Sequence, residues 1–277
     1  MLLYVNYYQY LSYMTRRHLL PFLLTLSLVL SFALGGIPHS LIAQPQVFAH
    51  NDYEKPSPLT NALAARADYI EADVFLRNGR LVLAHTPAEA DTAKRTLDGT
   101  YLTPLTALFG QYKDRVTPDR RYAPTLVIDV KDKVEEVLPQ LLPLIEKNMV
   151  VFNRSLNPQA VRIVVSGNRP RPEHLLDYPA YIFFDGRPSE LYDDETVKRV
   201  ALISDNFRSY SRWDGTGEVS DEDRAKLKRI IKRAHDAGCP IRFWNAPDNP
   251  VAWKQLRKLG IDVLNTDKVT ECVAAVK

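Results

Sequence analysis

From Gln46 onward, short apolar runs alternate with stretches of helical periodicity, and this alternation narrows the fold more than any other feature of the chain. The runs predict eight strands, at Val47–His50, Tyr69–Phe75, Thr125–Val130, Val161–Val165, Tyr181–Phe184, Val200–Ile203, Ile241–Trp244 and Asp262–Asn265. Between them, amphipathic patterns predict helices at Pro58–Ala67, Leu102–Tyr112, Lys133–Lys147, Asp221–Ala237 and Pro250–Leu259, several opened by Ser, Asp or Pro and closed by Gly. Eight strands with their helices in roughly 230 residues fit a closed barrel. An open doubly wound sheet would show fewer strands and a Gly-rich first turn, and no such turn follows the first run. The expected fold is therefore α/β, a (β/α)8 TIM barrel, irregular in its fourth, fifth and sixth units, where helical patterning is weak.

The first 43 residues read differently. Arg16, Arg17 and His18 precede an apolar run from Leu19 to Leu34, followed by Gly35, Gly36 and a small-residue exit at Ala43. Basic, apolar and small residues in that order predict a signal peptide at 1–43, with Met1 or Met14 as start and a mature domain at 44–277. The run is short for a transmembrane anchor and contains Pro21. The expected destination is periplasm, cell surface or medium. Loss of Arg16 and Arg17 takes the formal charge from +3 to +1, so no case for nucleic-acid binding survives, and membrane contact is not indicated. A monomer is expected. The two cysteines, Cys239 and Cys272, suit buried thiols better than a disulfide.

In such a barrel the chemistry sits at the C-terminal ends of the strands. There the first strand ends in Ala49-His50-Asn51-Asp52, the second carries Glu71-Ala72-Asp73, the segment after Asn78-Gly79 ends in His85, and the third strand ends in Asp129-Val130-Lys131. Glu71 and Asp73 are two apart on a strand and so share one face. Aimed inward, they would repel unless a cation lay between them, and three carboxylates with open positions suit Mg2+ or Ca2+. Lys131 balances the site or touches a phosphate oxygen. Two of the six histidines, His50 and His85, bracket the carboxylates, as displacement at phosphorus requires, one removing a proton and the other delivering one. Taken singly, a Glu-x-Asp pair is a common surface feature and a strand-end His is commonly structural; their coincidence on consecutive strands is what marks a site.

At these residues the chain resembles the glycerophosphodiester phosphodiesterase and PI-phospholipase-C-like superfamily, over nearly all of the expected mature domain. The matching segments include Asn61-Ala62-Leu63-Ala64-Ala65, Tyr69 to Val74, Asn78 to His85, Ile241 to Asn245 and Gly260 to Asp267. The resemblance implies a phosphoric diester hydrolase acting on a glycerophosphodiester or phospholipid-type substrate. It implies His50 and His85 as the acid/base pair, Glu71, Asp73 and Asp129 as ligands of one divalent cation, and Lys131 as a phosphate contact. Trp244 falls near the implied substrate mouth, with a core aromatic as the alternative. Asn51 and Arg169 complete the expected substrate contacts, although a loop arginine such as Arg169 is more commonly just exposed. The chain also departs from the pattern. Asn51-Asp52-Tyr53 stands where Arg-Gly usually follows the first histidine, and Asp129 where Glu is usual; the former is similar to the branch containing the fungal altered-inheritance-of-mitochondria proteins, and the Asp-x-Lys strand resembles the sphingomyelinase D relatives. Two other functions compete with hydrolysis of a diester: a catalytically inactive barrel binding a phospholipid or sugar phosphate, and a metal-dependent aldolase or sugar hydrolase on the same fold.

Overall fold

The computed structural model describes residues 44–277; the expected signal peptide, residues 1–43, lies outside the described residues. Nine strands form one sheet: β1 (Gln46–Ala49), β2 (Tyr69–Arg77), β3 (Arg80–Leu83), β4 (Thr125–Val130), β5 (Arg162–Gly167), β6 (Ile182–Gly186), β7 (Val200–Asn206), β8 (Ile241–Trp244) and β9 (Val263–Thr266). Their order is β1-β9-β8-β7-β6-β5-β4-β2-β3, and an additional β1–β2 pairing closes the ring. Eight strands run parallel around that ring, giving the (β/α)8 barrel. The ninth, β3, folds back antiparallel on β2. Asn78 and Gly79, at φ 51° and 73°, supply the left-handed pair that a tight hairpin turn needs.

Strand alternation divides the core into two layers. Ile70, Ala72, Val74, Leu126, Ile128 and Val130 pack outward with the helices. Phe48, Tyr69, Val127, Val164, Leu202 and Val263 plug the lower barrel interior. Because side chains on one face recur every second residue, the next inward positions, Glu71, Asp129, Ser166, Ser204 and Asn265, fall one layer higher. The interior is thus oily below and polar above.

The helices outside stop and start on local chemistry. Ser220 caps Asp221–Asp236 by accepting from the Asp223 amide, and Asn249 caps Pro250–Leu259 by accepting from Ala252. The irregular middle is present: β5 leads to β6 through a single 3-10 turn, Pro172–Asp177, β6 to β7 through Thr196–Arg199, and the β6–β7 register shifts between Phe184 and Asp185. The sixth unit differs from the expectation of a weak helix, since the 16-residue helix Asp221–Asp236 covers it and buries Leu227, Ile231 and Ala234 along one face. Cys239 and Cys272 are buried free thiols. Among the described residues no helix is long and apolar enough to cross a membrane.

Candidate active site

The C-terminal mouth of the barrel opens into a cleft of about 430 Å³ whose lining includes His50, Glu71, His85, Asp129 and Lys131. Carboxylate oxygens of Glu71, Asp73 and Asp129 all lie within 4.8 Å of one another, because Asp73 and Asp129 are register partners on β2 and β4. Glu71 and Asp73 are buried. Burial first, and the Glu71 charge second, raise the Asp73 carboxyl above its ordinary range and push Asp129 up to about 6. Lys131 Nζ stands 3.1 Å from Asp73 and 3.3 Å from Asp129; burial opposes its charge, but the two carboxylates more than offset this.

Two local features shape the cradle. The Asp129 Oδ1 atom is buried with no hydrogen bond of good geometry among the described residues, the Lys131 ammonium standing 3.3 Å away; a further positive partner there would offset the cost of its burial. Next to it, Gly167 has φ +69°, and a Cβ there would sit 2.1 Å from Asp129 Oδ1. Only glycine leaves the carboxylate its place. An all-oxygen donor set of this kind fits a hard divalent cation.

The histidines approach different members of the cluster. His50 follows β1; its Nε2 is 3.7 Å from Glu71, and its Nδ1, in the tautomer that carries a proton there, donates to Asp267 Oδ1 at 3.1 Å. Burial works against the charged ring, yet the Asp267 hydrogen bond and the Glu71 charge prevail and hold its pKa above the usual value. His85, just beyond β3, places Nδ1 3.4 Å from Asp73 Oδ2 and 3.2 Å from the Tyr53 hydroxyl, which itself donates to Asp73 at 3.0 Å.

The segment Asn51-Asp52-Tyr53 accordingly has three jobs. Asn51, in a left-handed conformation, donates its backbone N–H to Glu71 Oε2 at 3.1 Å, and its side chain is not among the cleft-lining groups. Asp52 is buried and accepts from the Leu59 amide and the Tyr101 hydroxyl, folding the loop. Tyr53 joins Asp73 to His85.

Sequence reasoning missed a further set of groups in the cleft. Asp185, near the end of β6, and Arg187, just beyond it, line the wall, repeating the acid-x-base spacing of Asp129 and Lys131 that could have revealed them. Arg242, on β8 two residues before Trp244, is buried. It lies over the Phe48 ring at 3.5 Å, donates to Asn265 at 2.9 and 2.7 Å and to Glu71 Oε1 at 3.4 Å. A charged residue in a strand between two large apolar ones was the signal. Trp244 lines the cleft and is 37% exposed, so it belongs to the mouth and not to the core. Arg169 is placed otherwise than expected: its guanidinium turns away to Glu190 at 2.5 Å and is not part of the lining.

Known proteins bear on this geometry. The pattern of the AIM6-like phosphodiesterase domain matches residues 40–185, more than half of the chain, and that of the glycerophosphoryl diester phosphodiesterase family matches residues 240–270. The chain is similar to altered inheritance of mitochondria protein 6 of Eremothecium gossypii, with 26% identity over 261 residues, covering 80% of this chain and 67% of the relative. It is similar too to the Arthroderma benhamiae homolog, with 28% identity covering 80% of this chain and 81% of the relative. In three dimensions it resembles a structure assigned as a glycerophosphoryl diester phosphodiesterase of Silicibacter pomeroyi DSS-3, with TM-score 0.50 and 13% identity, covering 83% of this chain and 93% of that one. At that identity the likeness speaks for the fold alone.

Proposed function

The chain belongs to the AIM6-like phosphodiesterase domain family, and on that basis we propose that it hydrolyses a phosphodiester of the glycerophosphodiester or phospholipid type, with His50 and His85 exchanging protons with the attacking and leaving oxygens. The observation that carries this reading is the placement of two imidazoles against one buried carboxylate cluster, one beside Glu71 and the other beside Asp73.

Glu71, Asp73 and Asp129 would hold one divalent cation, Mg2+ or Ca2+, which when bound supplies positive charge to the phosphoryl oxygens. The residues do the rest. Asp267 orients the His50 ring through Nδ1 and leaves Nε2 to face the cleft; Tyr53 and Asp73 do the same for His85 from its Nδ1 side. One ring removes the proton of the attacking oxygen, from water or from a hydroxyl of the substrate, and the other protonates the departing alkoxide. Trp244 offers an aromatic face at the mouth for the alcohol portion.

The test is release of p-nitrophenol from bis-p-nitrophenyl phosphate with and without EDTA: chelator-sensitive release is expected, and no release with either metal would sink the reading. A second reading, a noncatalytic phosphate-binding barrel, draws on Lys131, whose ammonium already balances Asp73 and Asp129. It predicts ligand binding indifferent to metal.

A further inference from the structure

Above the buried acid layer, β4, β5 and β6 carry a second row of polar residues two positions further on: Lys131 above Asp129, Asn168 above Ser166 and Arg187 above Asp185, all six lining the cleft. Two members of this row are already engaged. Lys131 lies against Asp73 and Asp129, and the Asn168 amide donates to the Lys131 and Asp132 carbonyls at 2.9 and 3.1 Å. Arg187 is different. Its Nη1 alone is used, on the Asp185 and Gly186 carbonyls and the Asp185 carboxylate at 3.2 Å. Its Nε and Nη2 make no hydrogen bond among the described residues, and the side chain is 30% exposed. Those two N–H groups form a planar fork whose spacing matches two oxygens on one phosphorus.

The loop carrying this fork is built to hold still. Glu190 accepts from the Arg187 amide at 2.9 Å and from Arg169 Nη2 at 2.5 Å, and takes a short hydrogen bond from the Tyr192 hydroxyl. That hydroxyl also accepts from the Arg187 amide at 3.1 Å. Tyr192 closes over the strand end so tightly that a Cβ on Gly186 would come within 2.5 Å of its oxygen and 2.9 Å of Val200. The half-buried Arg169–Glu190 pair has no access to the chemistry itself, but it fixes the backbone from which Arg187 projects. A cation held in place before the ligand arrives loses little entropy on binding.

We propose that Arg187 binds the nonbridging oxygens of a phosphodiester monoanion with its free fork, and that the Arg169–Glu190–Tyr192 clamp positions it. This rests on the phosphodiester reading above and adds the residue that recognises the anion. The probe is dimethyl phosphate, a diester without a good leaving group, titrated calorimetrically into the full chain with saturating Mg2+ or Ca2+; metal affinity is measured separately. Arg187→Gln should weaken dimethyl phosphate by about 10- to 100-fold, the range for a charge-assisted hydrogen-bonded contact, with metal affinity unchanged. Arg187→Lys should recover only part of the loss, since charge returns without the fork. Glu190→Gln should weaken the probe less, and adding it to Arg187→Gln should cost nothing more, as a residue acting only through Arg187 requires. Wild-type affinity in Arg187→Gln would overturn the proposal while leaving the phosphodiester reading intact, and so would joint loss of metal and probe binding that Arg187→Lys does not restore. Failure of the wild-type protein to bind dimethyl phosphate would overturn both.

Discussion

Metal binding should depend on pH through Asp129. Its carboxyl is pushed from an ordinary 3.8 to about 6 by burial and by the neighbouring Glu71 charge, and a carboxylate must be ionised to ligate. A proton with that pKa reduces apparent metal affinity by a factor near one at pH 7 and by about tenfold at pH 5, equivalent to ~1.4 kcal/mol. The same shift has a signed effect on the metal-free fold. Between about pH 4 and 6 the folded chain holds a proton at Asp129 that the unfolded chain has lost, so this group's favourable contribution is present at low pH and disappears as pH rises through 6, by at most ~3 kcal/mol. Asp73, also raised by burial and by Glu71, acts in the same direction. Metal should therefore stabilise the protein more at pH 7 than at pH 5. Isothermal titration with Ca2+ or Mg2+ at the two pH values, repeated at pH 6 in buffers of different ionisation enthalpy, reads both the affinity and the roughly half proton released. Equal affinity at pH 5 and 7 with no proton release would refute the electrostatic account of the cradle.

Four other outcomes follow from the geometry. His50→Ala and His85→Ala should each lower bis-p-nitrophenyl phosphate turnover by about 10² to 10⁴; wild-type turnover in both would remove them as proton carriers. Asp267→Asn removes an acceptor that raises the His50 pKa, so the limb of the pH–rate profile that moves should shift to lower pH. Gly167→Ala drives a methyl toward Asp129 Oδ1 at a positive φ, and calorimetry should show metal affinity reduced by roughly tenfold or more, the scale seen when a ligand's supporting shell is disturbed. Export with removal of residues 1–43 remains our reading of the N-terminal sequence, and N-terminal sequencing of the natural product should begin at Gln44.

The barrel was legible because its signals are local: each strand is its own short apolar run, and Ser220 and Pro250 mark helix starts in the sequence as they do in space. The acid cluster was legible for the same reason, since period two places Glu71 and Asp73 together without any knowledge of the partner strands. Asp185 and Arg187 carried a local signal in their acid-x-base spacing, whereas the role of Arg242 depends on which strands face one another across the closed ring. Arg242 meets Glu71, 171 positions away in the chain, and nothing local to either residue announces the meeting. Arg169 misled for a related reason. It lies in the segment just after β5, where cleft residues cluster, but the β6–β7 loop reaches back to capture it.

That distant meeting explains how a barrel interior tolerates so many carboxylates. Arg242 places a permanent positive charge 3.4 Å from Glu71 and within 3.9 Å of Asp185. Its guanidinium is fixed from below by the Phe48 ring and from the side by Asn265. Glu71 therefore meets Arg242 through Oε1, while Oε2 takes the Asn51 amide and faces His50. An apolar replacement of Arg242 could fill the same volume, but it would leave Glu71 without this opposing charge and held by a hydrogen bond through Oε2 only. In this chain the boundary between the oily lower plug and the polar upper layer is an arginine stacked on a phenylalanine, and that arginine helps orient Glu71, the first of the carboxylates proposed to hold a cation.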